Sequence, residues 1–249
     1  MSESMRMWVE IIFNISYLFV IWVLVIAMQR HQSNVASADA SVARMAKWAF
    51  GLLALGDTGH VGFRVVAYAL GNLESKPIVL GIPISLVGIG ALATAITLTF
   101  FYALVLFMWS KRFNKPLGLY GWMLIAAGIA RLVVMALPQN QWDQAVAPYE
   151  WSLLRNALLV VQGLGVLVLI LRDALTAKDD SFIWIGVMIG ISFGFYAPVI
   201  LWAAQAPLLG MLMIPKTLAY VGIAILIYQR LYRRNNALKP SPQPIATHS

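Results

Sequence analysis

The sequence predicts an all-α integral membrane protein, built as a bundle of seven transmembrane helices. Of its 249 residues, 61% are hydrophobic and 11% are charged, and the mean hydropathy is +0.78. A soluble domain is nearer half apolar and one quarter charged. The apolar runs are continuous over about twenty residues, the length that a helix needs to cross the hydrocarbon core, whereas the strands of a membrane barrel alternate in polarity.

Seven such runs follow one another along the chain, and each predicts one spanning helix. Their approximate bounds are Trp8–Met28, Ala46–Leu70, Ile84–Met108, Leu117–Leu137, Trp151–Leu171, Phe182–Ala203 and Leu208–Tyr228. Residues 1–234 are therefore predicted to form a single transmembrane domain. Residues 235–249 contain three prolines and few apolar side chains, a composition that predicts a disordered cytoplasmic tail.

The distribution of lysine and arginine predicts how the chain is oriented. Twelve of the 18 cations lie on one side, in alternate loops and in the tail, while only Arg6 and Lys76 lie on the other side. Cytoplasmic loops carry an excess of these residues, so we expect the amino terminus outside and the carboxyl terminus in the cytoplasm. The net charge of +8 reflects this topology, and no nucleic-acid partner is predicted. The expected location is the inner or plasma membrane, as a multi-pass protein.

Four further cations lie inside the predicted spans. They are Arg64, Arg131, Arg155 and Lys216, and the predicted orientation places all four in the outer half of the membrane. Ionisable groups at this depth are costly unless they face a partner or water, which makes them candidates for function. We therefore expect them to line one connected cavity.

The second span carries the densest group of such residues, within Gly56-Asp57-Thr58-Gly59-His60-Val61-Gly62-Phe63-Arg64. At 100° per residue, Asp57, His60 and Arg64 fall within an arc of roughly 60° on one helix face. An acid, an imidazole and a guanidinium are thus predicted to point the same way at membrane depth.

Other polar residues are predicted at the same level of the bundle. Residues of the first span share a helix face, a loop rich in amides and tryptophan follows the fourth span, and Pro215 is expected to free backbone beside Lys216. Thr94, Thr97 and Tyr196 can add hydroxyl groups. The predicted ligand-binding residues are Glu10, Asn14, Arg64, Arg131, Asn140, Trp142, Arg155, Asn156, Lys216 and Tyr220.

The surplus of embedded cations predicts the class of ligand. Four cations accompany one embedded acid, Asp57, so the site is expected to receive an anionic small molecule or the head group of a membrane lipid. Transport or sensing of that ligand is the function that we expect. A second interpretation is structural, because Glu10, Asp143 and Glu150 at the outer rim would neutralise the three excess charges in a network of ion pairs.

A third interpretation is enzymatic. Asp57 and His60 have the spacing of a carboxylate that orients a general base, and such a pair would serve a membrane-embedded hydrolase or isomerase that acts on a lipid-like substrate. A metal site is not predicted, because the chain has no cysteine and its other histidines, His31 and His248, lie in a loop and in the tail.

The chain has Lys216 in the last of its seven predicted spans. In this respect it resembles the microbial rhodopsins, in which a lysine at that place holds retinal. The sequence departs from that family in two places. Leu212 stands where those proteins have an aspartate, and the third span contains no aspartate or glutamate. No cofactor is therefore predicted, and no family is assigned.

Overall fold

The computed structural model describes residues 3–79, 81–203 and 205–233. This part of the chain forms a bundle of seven α-helices in which long apolar stretches stand side by side. They are α1 (Glu3–Arg30), α2 (Ala40–Ala69), α3 (Leu86–Arg112), α4 (Gly118–Ala136), α5 (Tyr149–Ala177), α6 (Asp180–Trp202) and α7 (Met213–Ile227). The predicted tail, residues 235–249, lies outside the described residues.

Short elements connect these helices. Two 3₁₀ turns, Gln32–Asn34 and Ser37–Asp39, join α1 to α2, and another, Pro138–Asn140, follows α4. A hairpin of two-residue strands, β1 (Ile78–Val79) and β2 (Ile82–Pro83), precedes α3 and is a small addition to the all-helical fold that was predicted. The chain enters α7 through a 3₁₀ helix, Pro207–Leu212, and leaves it through a π-helical turn, Tyr228–Arg233.

Six of the seven helices are long and apolar enough to cross a membrane, which makes this a multi-pass membrane protein. The exception is α2, whose apolar stretch is interrupted by Asp57, His60 and Arg64. Seven spans and an outer amino terminus therefore stay predictions. Several helices extend beyond the predicted spans because polar residues after the apolar run continue the helix, as Arg172 and Asp173 do in α5.

The closest helix pair is α2 and α3, which pack through small residues. A side chain added at Gly56 would collide with Thr97, and one added at Gly90 would lie 2.9 Å from Cα of His60. Small residues let two membrane helices approach until their backbones nearly touch. This approach brings Thr94 of α3 beside Asp57 of α2.

The half of the bundle toward the predicted cytoplasmic side is filled by apolar and aromatic side chains. Phe101 makes edge contacts with Phe50, Tyr102 and Tyr220, and its side chain is 1% exposed. Aromatic edges and faces attract one another, and large buried rings contribute much of the packing energy of a core.

Charged side chains join the loops at the same end. Arg112, at the end of α3, binds Asp39 before α2 and Asp179 before α6, at 2.6 Å and 2.7 Å. Asp173 accepts from Trp109, Lys115 and Arg172. The loops that the sequence assigns to the cytoplasm are thus tied together at one end of the bundle.

Candidate functional site

A cavity of about 1200 Å³ lies at the opposite end, and all seven helices contribute to its wall. Nine of the twelve residues predicted for the site line it, namely Glu10, Asn14, Asp57, His60, Arg64, Arg131, Arg155, Asn156 and Lys216. Asn140, Trp142 and Tyr220 do not. The four embedded cations therefore share one cavity, while their part in binding a ligand stays a prediction.

Asp57 lies deep in this cavity, where two hydroxyl groups bind its carboxylate. The Tyr17 hydroxyl on α1 donates to Oδ2 at 2.6 Å. The Thr94 hydroxyl on α3 lies 3.2 Å from Oδ1 and 3.0 Å from the backbone oxygen of Gly56, so these two acceptors share its one proton. No cation lies within ion-pair distance of Asp57 in the described part of the chain. Its charge is stabilised chiefly by hydrogen bonds from neutral donors.

His60 lines the cavity one turn beyond Asp57, but the hydrogen bond expected between them is absent. Both oxygens of Asp57 face other helices, and Nδ1 of His60 is buried without a hydrogen-bond partner among the described residues. A shared helix face brings two side chains near each other without fixing where their polar atoms point. The pair does not have the geometry of a carboxylate that orients a general base.

Arg64 and Glu10 form the ion pair of the cavity wall. Nη2 of Arg64 lies 3.5 Å from Oε2 of Glu10, and both side chains keep about a third of their surface exposed, at 28% and 31%. The charge of Arg64 is thus offset by a neighbour from α1.

Arg131 is 2% exposed, and its guanidinium donates hydrogen bonds to backbone carbonyl oxygens and to a hydroxyl oxygen. Nε donates to the backbone oxygen of Arg155 at 3.0 Å, and Nη1 donates to the backbone oxygen of Ala95 at 2.8 Å and to Thr99 Oγ1 at 2.5 Å. These contacts join α4 to α3 and α5. Within the described ranges no carboxylate lies within ion-pair distance of its guanidinium. The group therefore has hydrogen-bond acceptors, but no negative charge balances its positive charge.

Arg155 is fixed by the loop after α4. Nη1 donates to Oδ1 of Asn140 at 3.0 Å, and the ring of Trp142 lies 4.4 Å from Cζ. Both loop residues are anchored in turn, since Asn140 donates to the Val134 oxygen at 2.6 Å and Trp142 donates to the Met135 oxygen at 2.8 Å. Asn140 and Trp142 were predicted to bind ligand directly, but they lie behind Arg155 because its side chain reaches back toward the loop.

Lys216 projects from the first turn of α7 between two tyrosine rings. Nζ lies 4.8 Å from the ring centre of Tyr196 and 5.3 Å from that of Tyr220. It forms no ion pair or hydrogen bond with any residue that the structure describes. Tyr220 was predicted to bind ligand, but its hydroxyl is bonded to that of Tyr102 at 2.6 Å, and it lies below Lys216 in the aromatic layer.

The expected role of Pro215 is wrong. Because α7 begins at Met213, Pro215 lies in the first helical turn, where backbone amides have no partner within the helix. The proline inside a helix is instead Pro198 of α6.

Tyr196 lies in the cavity wall and contacts one of its cations. Its ring faces Lys216, and its hydroxyl donates to Oδ1 of Asn156 at 3.1 Å.

Two residues that line the cavity were not among those predicted from the sequence. One is Tyr68, although it lies eleven residues after Asp57 and so on the same helix face. Thr217, which follows Lys216 in the sequence, was missed as well.

The charges of the cavity do not balance. Once Arg64 is paired with Glu10, three cations remain at depth, and Asp57 is the one acid among the described residues beside them. A third acid, Glu74, lines the cavity but is exposed to water at its mouth. The deep part of the site therefore carries a surplus of two positive charges.

The described residues hold no group of three or more histidine, cysteine, aspartate or glutamate side chains that could bind a metal ion. No family model matches the chain, and no curated protein or solved structure matches it either. What the protein does must therefore be inferred from the cavity itself.

Proposed function

We propose that this protein binds an anionic small molecule or lipid head group in the cavity, for transport or sensing. The proposal includes seven spans, with the amino terminus outside and the cavity open toward the outer face. The observation that carries it is the state of Arg131 and Arg155, two buried guanidinium groups with no carboxylate partner among the described residues. A charge in such surroundings is stabilised when an anion enters.

The structural interpretation has less support. A neutral network would require the rim acids to pair with the embedded cations, and of these acids Glu10 alone is joined to one of them in the described part of the chain. Asp143 is instead hydrogen-bonded to the neighbouring Gln144. Two deep guanidinium groups are left for an external anion.

The shape of the cavity favours a ligand that arrives from outside or from the outer leaflet. Its wall includes Leu73, Val146 and Met211 near the mouth, while the aromatic layer below Lys216 fills the interior toward the other side. A volume of about 1200 Å³ exceeds the roughly 300–1,000 Å³ of most small-molecule pockets, and it leaves room for an apolar chain beside the anion.

The enzymatic alternative keeps one supporting observation. Asp57 and His60 both line the cavity, and a ligand or a water molecule could approach either one. The two side chains are not hydrogen-bonded to each other, so a hydrolase or isomerase mechanism has less support than binding. Binding is therefore the function that the geometry favours.

Ligand-induced stabilisation tests the proposal. The purified full chain would be unfolded thermally in a neutral detergent with anionic or zwitterionic phospholipids of the same acyl chains, and native mass spectrometry would identify any ligand that co-purifies. We expect anionic lipids to raise the melting temperature, and Arg155→Gln to reduce that shift. Arg44→Gln is the matched control, because Arg44 is exposed in the opposite half of α2.

Equal stabilisation by anionic and zwitterionic lipids would contradict the proposal. So would an equal loss in Arg155→Gln and Arg44→Gln, because the effect would then follow net charge and not the cavity.

A further inference from the structure

We infer that the anion is a phosphate monoester, bound as a dianion among Arg131, Arg155 and Lys216. This inference rests on the proposed anion site and narrows its ligand to one chemical class. It follows from the size of the charge surplus, from the kind of cations that carry it and from the unused hydrogen-bonding capacity around them.

The excess of two positive charges in the deep part of the cavity indicates which ligand charge is preferred. Three deep cations share the cavity with Asp57, so a carboxylate or a phosphate diester, with one negative charge, would leave one cation uncompensated. A phosphate monoester carries close to two negative charges at neutral pH, since its second pKa is about 6. Only the dianion brings the deep part of the cavity to neutrality.

The geometry of the cations fits the same group. Arg131 uses Nε and Nη1 in hydrogen bonds to protein, and Arg155 uses Nη1, which leaves further guanidinium donors toward the cavity. Lys216 has all of its ammonium donors free of described partners and adjoins Tyr196 on the same wall. Guanidinium groups bind phosphate oxygens in pairs, and an ammonium adds a point charge to the third oxygen.

The positions of Arg131 and Arg155 are set before any ligand arrives. Arg131 donates to the backbone oxygen of Arg155, so the two guanidinium-bearing residues are joined across α4 and α5. The loop residues Asn140 and Trp142 hold Arg155 from behind. Like charges held together in this way repel each other, and an anion with two charges relieves that repulsion more than an anion with one.

The phosphate can belong to a lipid or to a soluble ester. Apolar residues such as Phe13, Met213 and Ile214 extend the cavity wall along α1 and α7, and they would cover an alkyl chain attached to the phosphate. A soluble ester without an alkyl chain would leave that part of the wall unused. The experiment separates these two sources.

The test compares two matched ligands over a range of pH. Octyl phosphate is a monoester that gains its second charge near pH 6, and methyl octyl phosphate is a diester that keeps one charge throughout. Affinities of both for the purified full chain would be measured at about pH 5 and pH 7.5. Because the dianion fraction rises from about one tenth to nearly one, we expect the affinity ratio of monoester to diester to rise about tenfold.

Titratable groups of the cavity act on both ligands in the same direction, so taking the affinity ratio removes most of their effect. They are Glu10 and Tyr17 on α1, Asp57, His60, Arg64 and Tyr68 on α2, Glu74 after α2, Arg131 on α4, Arg155 on α5, Tyr196 on α6 and Lys216 on α7, while α3 contributes the hydroxyl of Thr94. Protonation of an acid or of His60 at low pH adds positive charge and strengthens the binding of any anion. Groups of the protein therefore favour anion binding at low pH, whereas the second charge of the monoester favours its binding at high pH.

Each result has a distinct meaning. A ratio that does not change with pH, or octanoate binding as tightly as octyl phosphate, overturns the dianion and leaves the anion site standing. Failure of all these anions to bind overturns the proposed function as well. With the expected ratio, inorganic phosphate that binds as tightly as octyl phosphate shows that the alkyl chain adds nothing and identifies a soluble ester. Binding at least tenfold weaker identifies an amphiphile.

Discussion

The indole ring of Trp142 lies 4.4 Å from Cζ of Arg155, and the two residues come from a loop and from a helix that begins seven residues later. A cation over an aromatic face gains about 0.5–2 kcal/mol, depending on how far it is removed from water. Arg155 is 8% exposed, so the contact belongs to the stronger part of that range. The loop therefore fixes a cation of the cavity wall from behind.

Trp142→Ala should weaken anion binding without removing any charge from the cavity. Without this contact Arg155 is held less firmly in place. A loss of about 1 kcal/mol in binding free energy corresponds to roughly a fivefold loss of affinity. Trp142→Phe keeps an aromatic face and should recover part of it, although it loses the hydrogen bond to the Met135 oxygen. Titration of both variants with an anionic ligand measures this, and equal affinity of Trp142→Ala and the unchanged protein would contradict it.

The glycines of α2 provide a test of the helix packing. Gly56→Ala should destabilise the protein, because the added carbon would collide with Thr97 and lie 3.1 Å from Cα of Thr94. Gly62→Ala is the matched control in the same helix, since nothing lies within 4 Å of the carbon that it adds. Thermal unfolding should show a loss of several degrees for the first variant and none for the second. Equal effects would mean that α2 and α3 do not approach closely at Gly56.

The orientation is tested by reporter fusions in two loops. One side of the predicted spans carries twelve lysine and arginine residues and the other carries two. This bias predicts that a reporter placed at Lys115 is cytoplasmic and that one placed at Glu74 is external. These residues lie at opposite ends of the bundle in the structure, because Lys115 binds Asp173 while Glu74 lines the mouth of the cavity. The reverse pattern of reporter activity would turn the cavity toward the cytoplasm.

Much of the candidate site follows from helix periodicity. Asp57, His60 and Arg64 were expected on one face of α2, and all three line the cavity, because the positions of Cβ atoms around a helix depend only on the spacing of residues. Arg131, Arg155 and Lys216 were predicted to lie at one level from the cation bias, and all three line the same cavity, while their depth in a membrane stays a prediction. Such inferences need the secondary structure and no knowledge of how helices rotate against each other.

What the sequence could not provide depends on side-chain direction and on contacts between distant segments. The carboxylate of Asp57 turns toward Tyr17 and Thr94 because α1 and α3 present hydroxyl groups there, so His60 is left without it. Asn140 binds Arg155 only because the loop folds back over α5. The start of α7 at Met213 depends on the 3₁₀ helix before it, which no apolar pattern indicates.

Thermal unfolding of Lys216→Met in detergent, after removal of bound lipid, tests most directly whether these cations await an anion. Asp57 keeps its two hydroxyl donors in this variant, and the cavity loses one of its surplus positive charges. We expect the ligand-free variant to be as stable as the unchanged protein or more stable, and its stabilisation by an anionic ligand to fall. Asp57→Asn is the comparison, because it increases the surplus.

The contradicting result is a large loss of stability in ligand-free Lys216→Met that matches the loss in Asp57→Asn. Removing one partner of a buried ion pair costs about 3–5 kcal/mol, and equal losses of that size would show that Lys216 and Asp57 stabilise the fold as a pair. The cavity would then hold a structural charge pair and not a site for an anion.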